Sequence, residues 1–214
     1  MRLAFAISLP AFVLCGTVLA ADPSFAAPPS FDCAKADTSA TQLVCKDDQL
    51  AALDREVTRL FTLARDGAHL AADQRKQLLA VQRGWIKGRD DCWKAGDLRA
   101  CVVESYVTRI HQLRQGYADA RSQDKAGISK GPFAAKCEGL DALLTLAFVD
   151  IKPAAADVGW LDQAVVVNQV PAASGARYQG ENYAGKFEFW QHGKEMTFTM
   201  PGGKPMICAP EETG

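Results

Sequence analysis

The chain is 214 residues long, and its 24 lysines and arginines nearly balance its 25 aspartates and glutamates, which leaves a formal net charge of −1 at pH 7. The charge is unevenly placed: residues 136–214 carry ten acidic and six basic residues, a net of −4, and the preceding residues have a net of +3. The acidic part would repel nucleic acid and attract a basic protein, so we expect no nucleic-acid partner.

Residues 1–20 have the layout of a secretory signal peptide, with a basic start, an apolar stretch and small residues at the end. Cleavage after Ala20 or after Ala26 suits a signal peptidase. Cys15 is interpreted as apolar filler and not as a lipid-attachment site, because the bulky Leu14 precedes it. No later apolar run approaches the ~20 residues that span a bilayer. We therefore expect a periplasmic or secreted protein without membrane insertion after cleavage.

Residues 31–117 have the three- and four-residue apolar spacing of amphipathic helices. Three long helices are predicted from these positions: Leu50, Leu53, Val57, Leu60, Phe61 and Ala64; then Leu78, Val81 and Trp85; then Val102, Tyr106, Ile110, Leu113 and Tyr117. Asp47 or Asp48 can cap the first of them. A short helix is predicted before them, where Ser39 begins a capping-box pattern.

The pattern changes after residue 117. Residues 118–135 are polar, with two glycines and a proline, and are predicted to be a linker. In residues 136–210 the apolar residues alternate with the period of β-strands; they are Leu144, Leu146 and Phe148, then Val165 and Val167, then Phe187 and Phe189, then Met196, Phe198 and Met200. The predicted fold class is α+β with two domains, a disulfide-linked helical hairpin or bundle followed by a small antiparallel β-barrel or sandwich.

Six cysteines follow Cys15, and an even number in an exported chain predicts three disulfides; they are Cys33, Cys45, Cys92, Cys101, Cys137 and Cys208. The last two bracket the β half, so we expect them to join its terminal strands. For the other four we expect bonds between the first pair and the second pair, because the second helix should return its end toward the start of the first.

The sequence has no recognisable catalytic or metal-binding motif. The sequence gives no reason for the three histidines, His69, His111 and His192, to lie close together, and none of them forms a helical metal-binding pair. Ser174 lacks the glycine-serine-glycine elbow of hydrolases, and no histidine or aspartate has the spacing of a local triad. We therefore expect a binding protein, with no enzymatic activity, metal or cofactor.

The stretch SGARY, residues 174–178, lies between a valine-rich and an aromatic run and on its own indicates a turn. Its surroundings resemble a known family. From Cys137 to Cys208, the succession of VPAASGARY, KFEFWQHG and a final cysteine resembles the membrane-bound or periplasmic inhibitors of c-type lysozyme (the MliC/PliC type). Residues 31–117, with LVCKDDQLAALDREVTRLF and QRGWIKGRDDCW, resemble the N-terminal helical domain of LprI-like lysozyme inhibitors.

This resemblance implies a c-type lysozyme as the partner, with the Ser174–Tyr178 loop inserted into its active-site cleft. In that family the loop serine and a lysine from the following turn contact the two catalytic carboxyl groups, which perform the acid and nucleophile steps of glycoside hydrolysis. The family lysine has no counterpart here, because His192 stands at its position. The residues expected to bind lysozyme are Ser174, Gly175, Arg177, Tyr178, Trp190, His192 and Lys194.

A neutral imidazole lacks the permanent charge of lysine, and charge-assisted hydrogen bonds are roughly twice as strong as neutral ones. The sequence therefore predicts weak or pH-dependent inhibition unless Lys194 or Arg177 compensates. The rival hypothesis is a non-inhibitory module of the cell envelope that binds peptidoglycan. Its binding surface would be the basic segment with Arg83, Lys87 and Arg89, which on charge alone indicates only a solvated helix face.

Overall fold

The computed structural model of the chain describes residues 27–121 and 126–211. The predicted signal peptide, its two cleavage sites and Cys15 lie outside these ranges, so they remain predictions. Within the described ranges, no helix combines the length and the apolar character that crossing a bilayer requires.

The first half is helical, as predicted. Its elements are α1 (Ser39–Val44), α2 (Asp48–Asp66), α3 (Ala72–Asp90) and α4 (Leu98–Gly116), with 3₁₀ turns at Cys33–Lys35, Asp91–Lys94 and Ala118–Ala120. Asp47 caps α2, since its carboxylate accepts from the backbone N–H groups of the second and third residues that follow. The cap of α1 is Thr38 and not Ser39: Thr38 and Thr41 form the capping box one residue earlier than the sequence indicated.

A buried polar chain joins three of these helices. Arg89 of α3 donates to the hydroxyl of Tyr106 in α4 at 2.9 Å, and that hydroxyl donates to Asp54 of α2 at 2.9 Å. Arg89 also lies over the ring of Trp85. The assignment of Arg89 to a solvated face was therefore wrong, because its guanidinium is buried between the helices, where it pairs with Asp54.

The second half is a closed antiparallel barrel in which eight strands follow one another in sequence order. The strands are β1 (Ser129–Cys137), β2 (Leu143–Val149), β3 (Ala155–Trp160), β4 (Gln163–Val170), β5 (Ala176–Asn182), β6 (Gly185–His192), β7 (Glu195–Thr199) and β8 (Met206–Glu211). The predicted α+β class is confirmed. Residues 129–135, which the sequence assigned to the linker, belong to β1, which closes the barrel against β8.

The two halves pack against each other through the outer face of the barrel. β3 is buried along its whole length, because its inner residues fill the barrel and its outer residues face α4. Val149, Ile151 and Ala155 accordingly join the apolar core of the helices. At this interface His111 of α4 lies 3.0 Å from Asp157 of β3, with both side chains buried.

A second buried polar group connects the halves at the start of β1. Arg114 of α4 donates to the hydroxyl of Ser129 at 2.8 Å and to its carbonyl at 2.6 Å, and it reaches the carbonyl of Gly131 at 3.1 Å. The Ser129 hydroxyl in turn donates to Glu56 of α2, whose carboxylate lies 3.5 Å from Arg114. Arg59 also pairs with Glu56. The buried carboxylate thus has two arginines and a hydroxyl as partners.

The disulfides confirm one expectation and contradict another. Cys137 is bonded to Cys208, as predicted. The expected bonds between the two earlier groups were wrong: Cys33 pairs with Cys45, and Cys92 pairs with Cys101. Each bond closes a short connection, 12 or 9 residues apart in sequence, in which local turns alone bring the Cα atoms to 5.8 and 5.6 Å.

Candidate functional site

Two connections meet at one end of the barrel. They are loop 171–175, which joins β4 to β5, and the turn at residues 193–194, which joins β6 to β7. The indole Nε1 of Trp190 donates to the carbonyl oxygen of Ser174 at 3.1 Å. The ring of Trp190 also stacks on that of His192, with centroids 5.8 Å apart. Ser174 and His192 are therefore held near each other by a common neighbour.

Gly175 allows this close approach. Its φ of +72° is in the region that side chains rarely adopt, and a Cβ atom there would lie 2.1 Å from the carbonyl oxygen of Gln191 and 3.0 Å from the Cα of His192. Only glycine fits without moving the loop or the end of β6. The role of close backbone approach that the resemblance gave to Gly175 is consistent with this geometry.

The exposed side chains at this end include those of Ser174, His192 and Lys194, and Glu195, the register partner of His192, is exposed as well. The first three provide a hydroxyl, an imidazole and an ammonium group. The hydroxyl can donate and accept, and the ammonium can only donate. These three groups are suited to a partner's carboxyl groups.

Arg177 and Tyr178 occupy different positions, because successive residues of β5 point to opposite faces. Tyr178 is only 8% exposed and packs inside the barrel against Phe148 and Phe189. Burial raises the pKa of this tyrosine, with a further contribution from Asp150. Tyr178 therefore supports the loop from below rather than standing at its surface.

Arg177 lies on the outer face of β5, where it binds Glu188 of β6. Its Nε and Nη2 donate to the same carboxylate oxygen at 2.9 and 2.6 Å, and the Gln179 amide donates to it at 2.7 Å. Partial burial acts to raise the pKa of Glu188, but the hydrogen bonds from Gln179 and Arg177 outweigh it and lower that pKa. Arg177 is thus already engaged, which leaves Lys194 as the cation nearest to His192 in sequence.

The same end of the barrel opens into an apolar cleft that the sequence analysis did not detect. Lys130 and Phe133 line part of it, and both fall in the segment that was assigned to the linker. The only signal available was the short apolar run after Pro132, which a β-bulge separates from the start of the strand. Across residues 27–121 and 126–211, no group of three or more histidine, cysteine, aspartate or glutamate side chains could hold a metal ion.

Comparison with known proteins covers both halves. The family described as "Membrane-bound lysozyme-inhibitor of c-type lysozyme" matches residues 136–207. Proteins named "Lipoprotein LprI" from Mycobacterium bovis and from two strains of Mycobacterium tuberculosis are 32% identical over 180 residues, which is 84% of this chain and 83% of theirs. The chain belongs to the LprI family. No solved structure matches it.

The LprI relatives extend over the helices as well as the barrel, since the aligned 180 residues far exceed the 136–207 stretch of the inhibitor family. Both parts of the resemblance seen in the sequence are therefore confirmed. Ser174, Gly175, Trp190 and His192 all lie inside the stretch that the inhibitor family matches. The paired connections at the barrel end are thus part of the family region.

Proposed function

We propose that this LprI-family protein is an exported, non-catalytic inhibitor of c-type lysozyme that inserts loop 171–175 into the active-site cleft. One observation carries the proposal: Ser174 and His192 are exposed at the same end of the barrel and are joined through Trp190. The family match to inhibitors of c-type lysozyme supplies the class of partner.

The chemistry of the partner suits these groups. Glycoside hydrolysis of this kind needs one protonated carboxyl group and one carboxylate on opposite sides of the scissile bond. The Ser174 hydroxyl can donate to the carboxylate and accept from the acid, which occupies both functions at once. His192 supplies a second donor beside it. The net charge of −4 in residues 136–214 would favour encounter with a cationic enzyme.

The loop is built for binding without reorganisation. Gly175 rests on the end of β6 and the Ser174 carbonyl is held by the indole of Trp190. A loop that is already in its bound shape loses little conformational entropy on association. The loop therefore blocks the cleft without changing its shape, and the inhibitor undergoes no chemical change.

Export is part of the proposal. The relatives are named lipoproteins, and the matching family is described as membrane-bound. For this chain we propose export through the signal at residues 1–20 without lipid attachment at Cys15, since Leu14 precedes that cysteine. Intact-mass analysis of the exported protein tests this: a start at Ala21 or Ala27 supports it, and a lipidated Cys15 at the N-terminus contradicts it.

The test of inhibition is a titration of a c-type lysozyme with the wild-type protein and with Ser174→Ala. Loss of one buried hydrogen bond to a charged group costs about 1.5 to 3 kcal/mol, so inhibition should weaken roughly ten- to a hundredfold. Ser39→Ala, at an exposed serine of α1, is the matched control and should inhibit like the wild type. Equal inhibition by Ser174→Ala and the wild type would reject insertion of this loop.

A second candidate function is favoured by one feature of the helical half. Trp93 is 61% exposed and lines a groove with Ile86, Arg83 and Lys87. An exposed indole beside hydrogen-bonding side chains is suited to a sugar ring, which makes peptidoglycan the rival partner. Sedimentation with insoluble peptidoglycan separates the two: retention that Trp93→Ala abolishes, in a protein that forms no lysozyme complex, would favour the rival.

A further inference from the structure

The barrel is filled at one end and open at the other. At the far end Trp160, Phe187 and Phe198 pack together with ring centroids 5.5 to 6.3 Å apart. At the end that carries loop 171–175, the inward positions include the small residues Ala135 and Ala176. Because eight strands enclose just enough space for side chains or one small ligand, small residues at the mouth leave a cavity.

This cavity has a volume of about 450 Å³ and lies inside the barrel wall. Its apolar lining comes from inward positions of five strands: Phe133, Leu146, Phe148, Tyr178, Phe189 and Met196. The volume is within the range of small-molecule sites, which are concave and mostly apolar with a few polar groups. Phe133 is 42% exposed, so the mouth is apolar as well as the interior.

The polar groups are confined to the rim. Lys130 is the register partner of Phe148, so its side chain leaves the strand on the same inner face as that ring. Gln191 is at an inward position of β6, and Glu211 lies on β8, the strand that pairs with β1, so it is on the same side of the mouth as Lys130. Within the described parts of the chain, no carboxylate forms an ion pair with Lys130. The rim therefore offers an ammonium, an amide and a carboxylate above an apolar interior.

We propose that this cavity binds a single-chain amphiphile with an acidic headgroup, such as a medium-chain fatty acid. The alkyl chain would pack against the phenylalanine rings and Met196, and the carboxylate would bind the Lys130 ammonium and the Gln191 amide. This site adjoins loop 171–175, since Ala176 and Gln191 line it, but its existence does not depend on lysozyme inhibition.

The direct test is calorimetric titration of the mature protein with decanoate, dodecanoate and the neutral decanol. Each buried methylene strengthens binding about fourfold, so dodecanoate, with two more, should bind about fifteenfold more tightly than decanoate. Lys130→Gln should weaken decanoate binding roughly three- to tenfold and leave decanol binding unchanged. Lys136→Gln is the matched control, since Lys136 is an exposed lysine of the same strand and lies outside the cavity.

Filling the cavity gives the complementary test. Ala176→Leu should abolish binding of dodecanoate, and an unchanged affinity in a folded variant would overturn the proposal. A measurement on the wild-type protein makes the test independent of that variant's folding: in methyl spectra of methionine-labelled protein, dodecanoate should shift the Met196 signal and leave that of Met206 in place. No binding at millimolar dodecanoate, equal shifts at both methionines, or equal effects of Lys130→Gln and Lys136→Gln would each refute the site.

Discussion

Gly175 and Gln191 approach so closely that a Cβ atom on the glycine would lie 2.1 Å from the glutamine carbonyl oxygen. That oxygen is backbone, so it cannot rotate away as a side chain would. The loop therefore depends on glycine for two separate reasons, its φ of +72° and the contact with β6. The two reasons can be separated by mutation.

We predict that Gly175→Ala weakens lysozyme inhibition at least tenfold, because the loop must move away from β6. The positive φ alone should cost about 1 to 2 kcal/mol of stability. Gly202 has nearly the same φ, +70°, with no atom near its Cβ position, and lies in the turn between β7 and β8. Gly202→Ala should lose a similar amount of stability in thermal unfolding and should inhibit like the wild type. Equal inhibition by Gly202→Ala and Gly175→Ala would contradict a role for the contact with β6.

Replacing His192 with lysine should tighten inhibition, since it restores a permanent charge at the position that the inhibitor family occupies with lysine. Histidine is only partly charged near neutral pH, and a charge-assisted bond is roughly twice as strong as a neutral one. We expect roughly three- to tenfold tighter inhibition at pH ~8 and a smaller gain at pH ~6. His69→Lys, at an exposed histidine of the helical half, is the control. The same gain at both pH values would be inconsistent with a charge effect.

The Arg177–Glu188 pair should make a small, pH-dependent contribution to stability. The folded-state pKa of Glu188 is lowered from the usual 4.5, with hydrogen bonds from Gln179 and Arg177 outweighing partial burial. A carboxyl group with a lowered folded pKa stabilises the fold above its unfolded pKa and loses that effect as the pH falls through the folded pKa. Glu188→Gln should therefore cost about 0.5 kcal/mol at pH 7, discounted for solvent screening.

That cost should shrink toward zero as the pH falls through the lowered folded-state pKa of Glu188, because the wild-type carboxyl group then also loses its charge. Denaturant unfolding of both proteins between pH 7 and 3 measures it. Glu138→Gln, at an exposed glutamate after β1 outside this cluster, serves as the comparison. A difference between wild type and Glu188→Gln that persists undiminished at low pH would show that packing, and not charge, is responsible.

Arg114 should be among the most sensitive positions in the chain. Arg114→Met would remove one of the partners of the buried Glu56 carboxylate. Removing one member of such a buried pair typically lowers the free energy of unfolding by about 3 to 5 kcal/mol. Hydrogen exchange should show simultaneous loss of protection in α4 and β1, because both elements hold the same network. Arg65→Met, which breaks an exposed pair with Asp66, should leave unfolding nearly unchanged. Independent melting of the helices and the barrel would contradict a shared network.

The helices were predictable because a 3.6-residue apolar pattern runs along α2 and α4, although α4 is buried on two sides, against the other helices and against the barrel. The start of β1 was not, since its outward residue Ser129 binds Arg114 and a β-bulge interrupts alternation before Phe133. β3 was also missed. A strand that is covered on both faces has no reason to alternate, and the run from Ala155 to Trp160 does not.

Only part of the candidate site was predictable, and the rest was missed for similar reasons. Alternation along β5 places Tyr178 inside the barrel and Arg177 outside, and this became evident only once the strand was seen to begin at Ala176. The stacking of Trp190 on His192 follows from their common side of β6 and had no separate sequence signal. The disulfide pairing expected for the helical half was wrong because the bonds form within short connections, 12 and 9 residues apart in sequence, and need no contact between distant helix ends.

The interface between the helices and the barrel, the seam of the two halves, constrains how these chains can evolve. Ser129 and Asp157 belong to the barrel, and their buried partners Arg114 and His111 belong to α4. A barrel exchanged between two relatives would leave buried charges unpaired unless the matching helix came with it. The two halves should therefore be inherited as one unit, and substitutions on one side of the seam should be accompanied by compensating substitutions on the other.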